Sequence, residues 1–192
     1  MNDLEKYALT ATCVWSFVGF MFMLNCRKMW NNIATAPSWE GALDLSSPGF
    51  KRMSALVSHC CFIIGIIVFS LGSVCIGLRL KLPAPIAVFV GTTGIVSQLL
   101  YMVVVGESPI GLPDVHGPPV PARIILFIII AVQSYAFFTN MSEGVYDDVD
   151  FTKVAGLGAF AFGVPNAIAL KQRKSTPWLE QPLDAFKTRK SD

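Results

Sequence analysis

Charge is what this sequence has least of. Only 15% of its 192 residues are Asp, Glu, Lys or Arg, against about 25% in an average soluble domain. The deficit falls in long blocks rather than evenly, and 53% of the chain is hydrophobic with a mean hydropathy of +0.56. That distribution excludes an ordinary soluble domain and describes a polytopic membrane protein. No basic stripe interleaved with aromatics occurs, which argues against nucleic acid as a partner. There is no C-x-x-C spacing among the five cysteines, Cys13, Cys26, Cys60, Cys61 and Cys75, so a thiol metal site or redox motif is not expected. Nucleophile elbow, P-loop, dinucleotide fingerprint and metal-binding helix are all missing. The chain is therefore not expected to be an enzyme, at most part of an enzyme complex. The first residues, "MNDLEK", carry no basic signal region, and the first helix is expected to be retained.

What is present is a series of apolar runs too long for strands. The expected fold is all-α, with membrane spans at about 7–25, 53–78, 85–105, 123–140 and 154–170. The last of these is the weakest, being short and holding Pro165, with an interfacial or re-entrant course as its alternative. Residues 1–170 read as one transmembrane domain and 171–192 as a basic polar tail with Pro177 and Pro182. Ser46 or Ser47 is placed to cap the second span, and Trp30 and Trp39 suit a membrane interface. The 106–122 loop holds five prolines and should be stiff. With the N-terminus outside, 11 Lys and Arg lie inside and 4 outside, the asymmetry that orients membrane proteins. Without a crossing by the fifth span that bias becomes 5 against 10.

Few polar groups enter the spans. His59, in "SALVSHCCFII", is the one ionisable side chain other than thiols within span two, and His116 stands in the proline loop. A histidine so placed can ligate haem or bind a quinone or pigment head group; its alternative is a hydrogen bond within the bundle. Gln98 and Gln133 lie near the middles of spans three and four, where two amides can meet and hold the helices together. A polar substrate site is the other reading of the same pair. Span five is rich in Gly and Ala, and Ala155, Ala159, Gly163 and Ala167 recur every four residues. On a helix they make one stripe of minimal side chains along which a second helix can approach closely. That second helix belongs either to this chain or to another subunit. Phe160, Phe162, Val164 and Ile168 are expected to face lipid.

Together these features point to a non-catalytic accessory subunit of a larger membrane complex, of respiratory-chain or ATP-synthase type. Its partners would be other membrane subunits and lipids, with bound phospholipid and no resident cofactor. The expected location is the mitochondrial inner membrane, N-terminus outside and C-terminus inside. A stand-alone transporter of small solutes or lipids is the alternative, and a haem-, quinone- or pigment-binding subunit using His59 a further one.

Overall fold

The computed structural model describes residues 2–34, 47–112 and 120–174. Expectations that concern Trp39, Ser46, His116 and the tail from 175 onward lie outside them. Six helices follow in order: α1 (Asp3–Ala34), α2 (Pro48–Arg79), α3 (Ala84–Gly91), α4 (Thr93–Val105), α5 (Val120–Ser142) and α6 (Phe151–Lys174). The chain is an all-α polytopic membrane protein. α1, α2 and α6 each carry a stretch long and apolar enough to cross a bilayer, and the bent pair α3–α4 makes a fourth. α5 contributes a shorter apolar stretch, Leu126–Ser142.

Local sequence explains where the helices begin and end. Ser47 caps α2: its Oγ accepts the Phe50 N–H at 3.1 Å, and Pro48 follows at the first helical position, where its missing N–H costs nothing. α2 stops at a tight reversal. The Leu82 N–H reaches the Gly77 carbonyl and the Lys81 N–H the Leu78 carbonyl, which places Lys81 at φ 62°. This is the hydrogen-bond pair that closes many helices, with lysine where glycine is usual. Asp150 caps α6 by accepting the Thr152 N–H at 3.0 Å. Slight burial would raise the Asp150 pKa. The amides of Thr152 and Lys153 and the Lys153 ammonium outweigh that effect and hold the carboxyl below its usual value.

The expected single span over 85–105 is interrupted. α3 and α4 meet at Thr92 with a bend of 42°. The break falls in Gly91-Thr92-Thr93-Gly94, where both hydroxyls fold back onto carbonyls of the preceding turn while the Thr92 N–H keeps its bond to Val88. Thr92 Oγ1 donates to the carbonyls of Val88 and Phe89, and Thr93 Oγ1 to that of Val90. A break inside a membrane is tolerated only when freed backbone groups find such partners.

α1 and α2 form the most intimate pair, running antiparallel. Ser16, Gly19, Met23 and Cys26 are buried on α1; Ser58, Phe62, Gly65, Phe69 and Gly72 are buried on α2. Both sets alternate steps of three and four, the seam of a left-handed helix pair. A Cβ placed on Gly65 would lie 2.9 Å from the Gly19 carbonyl oxygen, and one on Gly72 2.8 Å from Ser16 Cα. Ser16 Oγ also donates to the Phe69 carbonyl at 3.5 Å. Backbone thus meets backbone. Hydrophobic burial gives little drive between helices in lipid, so such packing contributes much of the association. One core cluster, including Met23, Phe62, Ile66, Ile110 and Ile168, fills the half of the bundle towards the C-terminal ends of α1 and α6. A second, including Leu82, Ile86, Val90, Tyr146 and Leu157, fills the opposite end. There α5 joins the bundle: Phe137 stacks on Phe89 at 4.7 Å between centroids and lies 5.3 Å from Tyr146.

Candidate functional site

Polar groups gather at two levels of the bundle. The first is a partly buried group near the α3–α4 break. Gln98 on α4 is 3% exposed, and its Nε2 donates to Asn166 Oδ1 on α6 at 2.6 Å. Asn166 Nδ2 in turn donates to Ser97 Oγ at 3.0 Å and to the Phe162 carbonyl at 2.7 Å. The expected meeting of Gln98 with Gln133 does not occur. The bend after α3 carries α4 against α6, while α5 leans mainly on α3. Gln133 is half-buried on α5, and no hydrogen bond joins its side chain to another described residue. Sequence reading passed over Asn166, although it stands directly after Pro165. Pro165 itself has no N–H to offer the Ala161 carbonyl. That carbonyl faces Gly94, where any Cβ would collide with it and would lie 2.9 Å from Pro165 Cγ. A broken helix and a proline-bearing helix therefore cross here with three polar side chains beside them.

The second level lies where α4 and α6 end, against the Leu24–Arg27 turn of α1. Gly106, at φ 79°, caps α4, and the segment that follows turns back under the bundle and buries Ser108, Pro109, Ile110 and Leu112. Irregular backbone buried there must be given partners. Arg27 on α1 donates to the Ile110 carbonyl at 3.2 Å and to the Gln172 carbonyl at 2.8 Å. Arg173 on α6 donates to the carbonyls of Pro109 at 2.8 Å and Ser108 at 3.4 Å, and its guanidinium sits 4.0 Å from the Tyr101 ring centre. Gln172 Nε2 reaches back to the Leu24 carbonyl at 3.0 Å. This is a clasp in which two guanidinium forks serve a turn and a helix end. The forks suit the task because each carries five donors in fixed directions.

His59 belongs to the clasp. It is 8% exposed, and its Nδ1 lies 3.0 Å from Ser108 Oγ. A histidine engaged through one nitrogen has only Nε2 left for any further ligand. Among the described residues no group of three or more His, Cys, Asp or Glu side chains converges.

The small-residue stripe of α6 points away from the bundle. Ala155, Ala159 and Ala167 are exposed and Gly163 is half-exposed, with nothing within 4 Å of a Cβ placed there. α6 packs inward through Leu157, Ala161, Pro165 and Ile168. Of the residues expected to face lipid, Phe162 and Phe160 are exposed, although the Phe160 ring also touches Phe69 of α2 at 4.8 Å between centroids; Ile168 is instead buried in the core, because it lies on the face that α6 turns inward. Compared with known proteins, the chain matches no family model, no curated protein and no solved structure.

Proposed function

We propose that this chain is a non-catalytic accessory subunit of a larger membrane complex. The observation that carries the proposal is the outward stripe Ala155, Ala159, Gly163 and Ala167 on α6. Within the chain, close backbone approach is achieved through other residues, Gly19, Gly65 and Gly72. The stripe offers the same kind of surface and none of the chain's described helices takes it up. Another subunit's helix gains dispersion contacts there that lipid chains make only by losing freedom. We place the complex in an energy-converting organellar membrane, of respiratory-chain or ATP-synthase type in the mitochondrial inner membrane. The N-terminus and the acidic 143–150 turn lie outside, and the clasp lies inside. The charge asymmetry supports the orientation.

The test compares assembly of Gly163→Leu with that of Ala161→Gly. Leu at 163 would stand where a partner backbone lies, whereas Ala161 faces the chain's own α4. Mild detergent extraction and native electrophoresis should show the wild-type chain far above 20.9 kDa. The Gly163→Leu chain should be largely released from that band while still inserted. Full assembly of Gly163→Leu would remove the stripe as an interface.

A stand-alone transporter is the second reading, favoured by the α3–α4 break beside Pro165 and by the Gln98, Asn166 and Ser97 group. Discontinuous helices beside polar side chains are a recurrent feature of substrate sites in transporters. A wild-type chain that migrates alone and moves solute in vesicles would favour it. Haem, quinone or pigment binding through His59 would have to use Nε2, and a visible absorption band lost in His59→Ala would be its mark.

A further inference from the structure

The clasp uses its arginines inward and leaves its lysines outward. Lys28 follows Arg27 on α1, and Lys171 and Lys174 flank Gln172 and Arg173 on α6; all three lysines are exposed. The two helices are fastened to each other at this height, through Arg27 to the Gln172 carbonyl and Gln172 to the Leu24 carbonyl. Leu24 and Lys28 are four residues apart and share a helix face, so Lys28 emerges one turn beyond that fastening. Lys171 and Lys174 are three apart and share a face of α6 in the same way.

None of the three ammonium groups makes an ion pair with a described residue. Glu107 is the one acidic residue among the described residues at this end of the bundle, and it belongs to the turn after α4. By contrast, Lys6 and Lys153 at the opposite end are paired with Asp3 at 3.0 Å and Asp150 at 3.5 Å. Compensation of a helix dipole accounts for basic residues in the last turn of α6. It does not account for Lys28, because α1 continues to Ala34. Leu170, next to Lys171, is exposed, so the lysines stand at the edge of the apolar part of α6.

We infer that Lys28, Lys171 and Lys174 form a seat for the headgroup of an anionic phospholipid at the junction of α1 and α6. The charge of the three ammonium groups holds the phosphate beyond the end of the Ala155–Ala167 stripe, which the headgroup leaves open. This inference stands whether or not the chain is a subunit of a complex.

The test measures lipid binding to the detergent-purified full chain by native mass spectrometry, titrating phosphatidylglycerol and phosphatidylcholine side by side. The wild-type chain should retain phosphatidylglycerol in preference to phosphatidylcholine. Each single Lys→Gln change at 28, 171 or 174 should weaken phosphatidylglycerol about five-fold, the equivalent of about 1 kcal/mol per lysine near an anionic surface. The triple variant should lose the preference, whereas Lys6→Gln with Lys153→Gln should keep it. The single variants carry the test if the triple variant does not fold. Equal retention of the two lipids by the wild-type chain would overturn the inference. So would equal losses in the Lys6/Lys153 control, or displacement of the lipid by inorganic phosphate at the same concentration.

Discussion

Gly→Ala should have opposite signs at Gly72 and Gly163. In an unobstructed helix the change stabilises by about 0.5–1 kcal/mol, because glycine loses more backbone freedom on folding. Gly163 is such a site: a Cβ there meets nothing within 4 Å. At Gly72 the same methyl group would lie 2.8 Å from Ser16 Cα and closer still to Ser16 N and Oγ. Backbone cannot rotate out of the way, so α1 and α2 must part along a seam that also holds Gly19 and Gly65. Overpacking of this kind costs about 1–3 kcal/mol, and a backbone obstacle puts Gly72 at the upper end. With the helix gain subtracted, Gly72→Ala should destabilise by about 2 kcal/mol, and the two variants should differ by about 3 kcal/mol. At about 2–4 °C per kcal/mol for a chain of this size, their unfolding midpoints should differ by roughly 6–12 °C. Thermal unfolding of the isolated chain in one detergent measures this directly. Gly72→Ala as stable as wild type would refute the close crossing, and a destabilised Gly163→Ala would mean that the stripe is already covered by the chain itself.

Two further outcomes follow from the geometry. Lys81 stands at φ 62° where side chains cost about 1–2 kcal/mol, so Lys81→Gly should raise the unfolding midpoint by a few degrees; no change would mean that the α2–α3 reversal is not closed as described. Gln98→Leu and Asn166→Leu should each destabilise, while the double variant should lose clearly less than their sum, by about 0.6–2 kcal/mol of coupling; additive losses would show that the 2.6 Å contact contributes nothing.

The helical class and most helix positions were legible because apolar runs of such length have few alternatives. The α1–α2 seam has a sequence signal too, a faint one. Ser58, Gly65 and Gly72 recur every seven residues with Phe62 and Phe69 between them, but they stand in a run dominated by Ile and Val. Small residues are denser in α6, where those of the stripe mark no contact within the chain. Density says how narrow a helix is; only spacing matched to a partner says where another backbone comes close. The break at Thr92 had a local signal, two threonines between two glycines, hidden by the unbroken apolar character around it. The Gln98 partner had no local signal. Which amide it meets depends on how the bend aims α4, a property of the packed bundle.

The arginines show the same limit in another form. Read along the chain, Arg27 and Arg173 are orientation charges, equivalent to Lys28 and Lys171. In three dimensions the two residue types separate. The guanidinium groups reach carbonyls at 2.8 Å and order a buried turn, a task that needs several directed donors. The ammonium groups stay at the surface, where a compact, strongly hydrated charge is at less cost. Exchange of type therefore has different consequences at neighbouring positions. Lysine at 173 has no fork with which to hold the Pro109 and Ser108 carbonyls together, whereas arginine at 171 keeps the positive charge of the rim. The functional division within one turn of α6 rests on donor geometry, because the charge is the same at both positions.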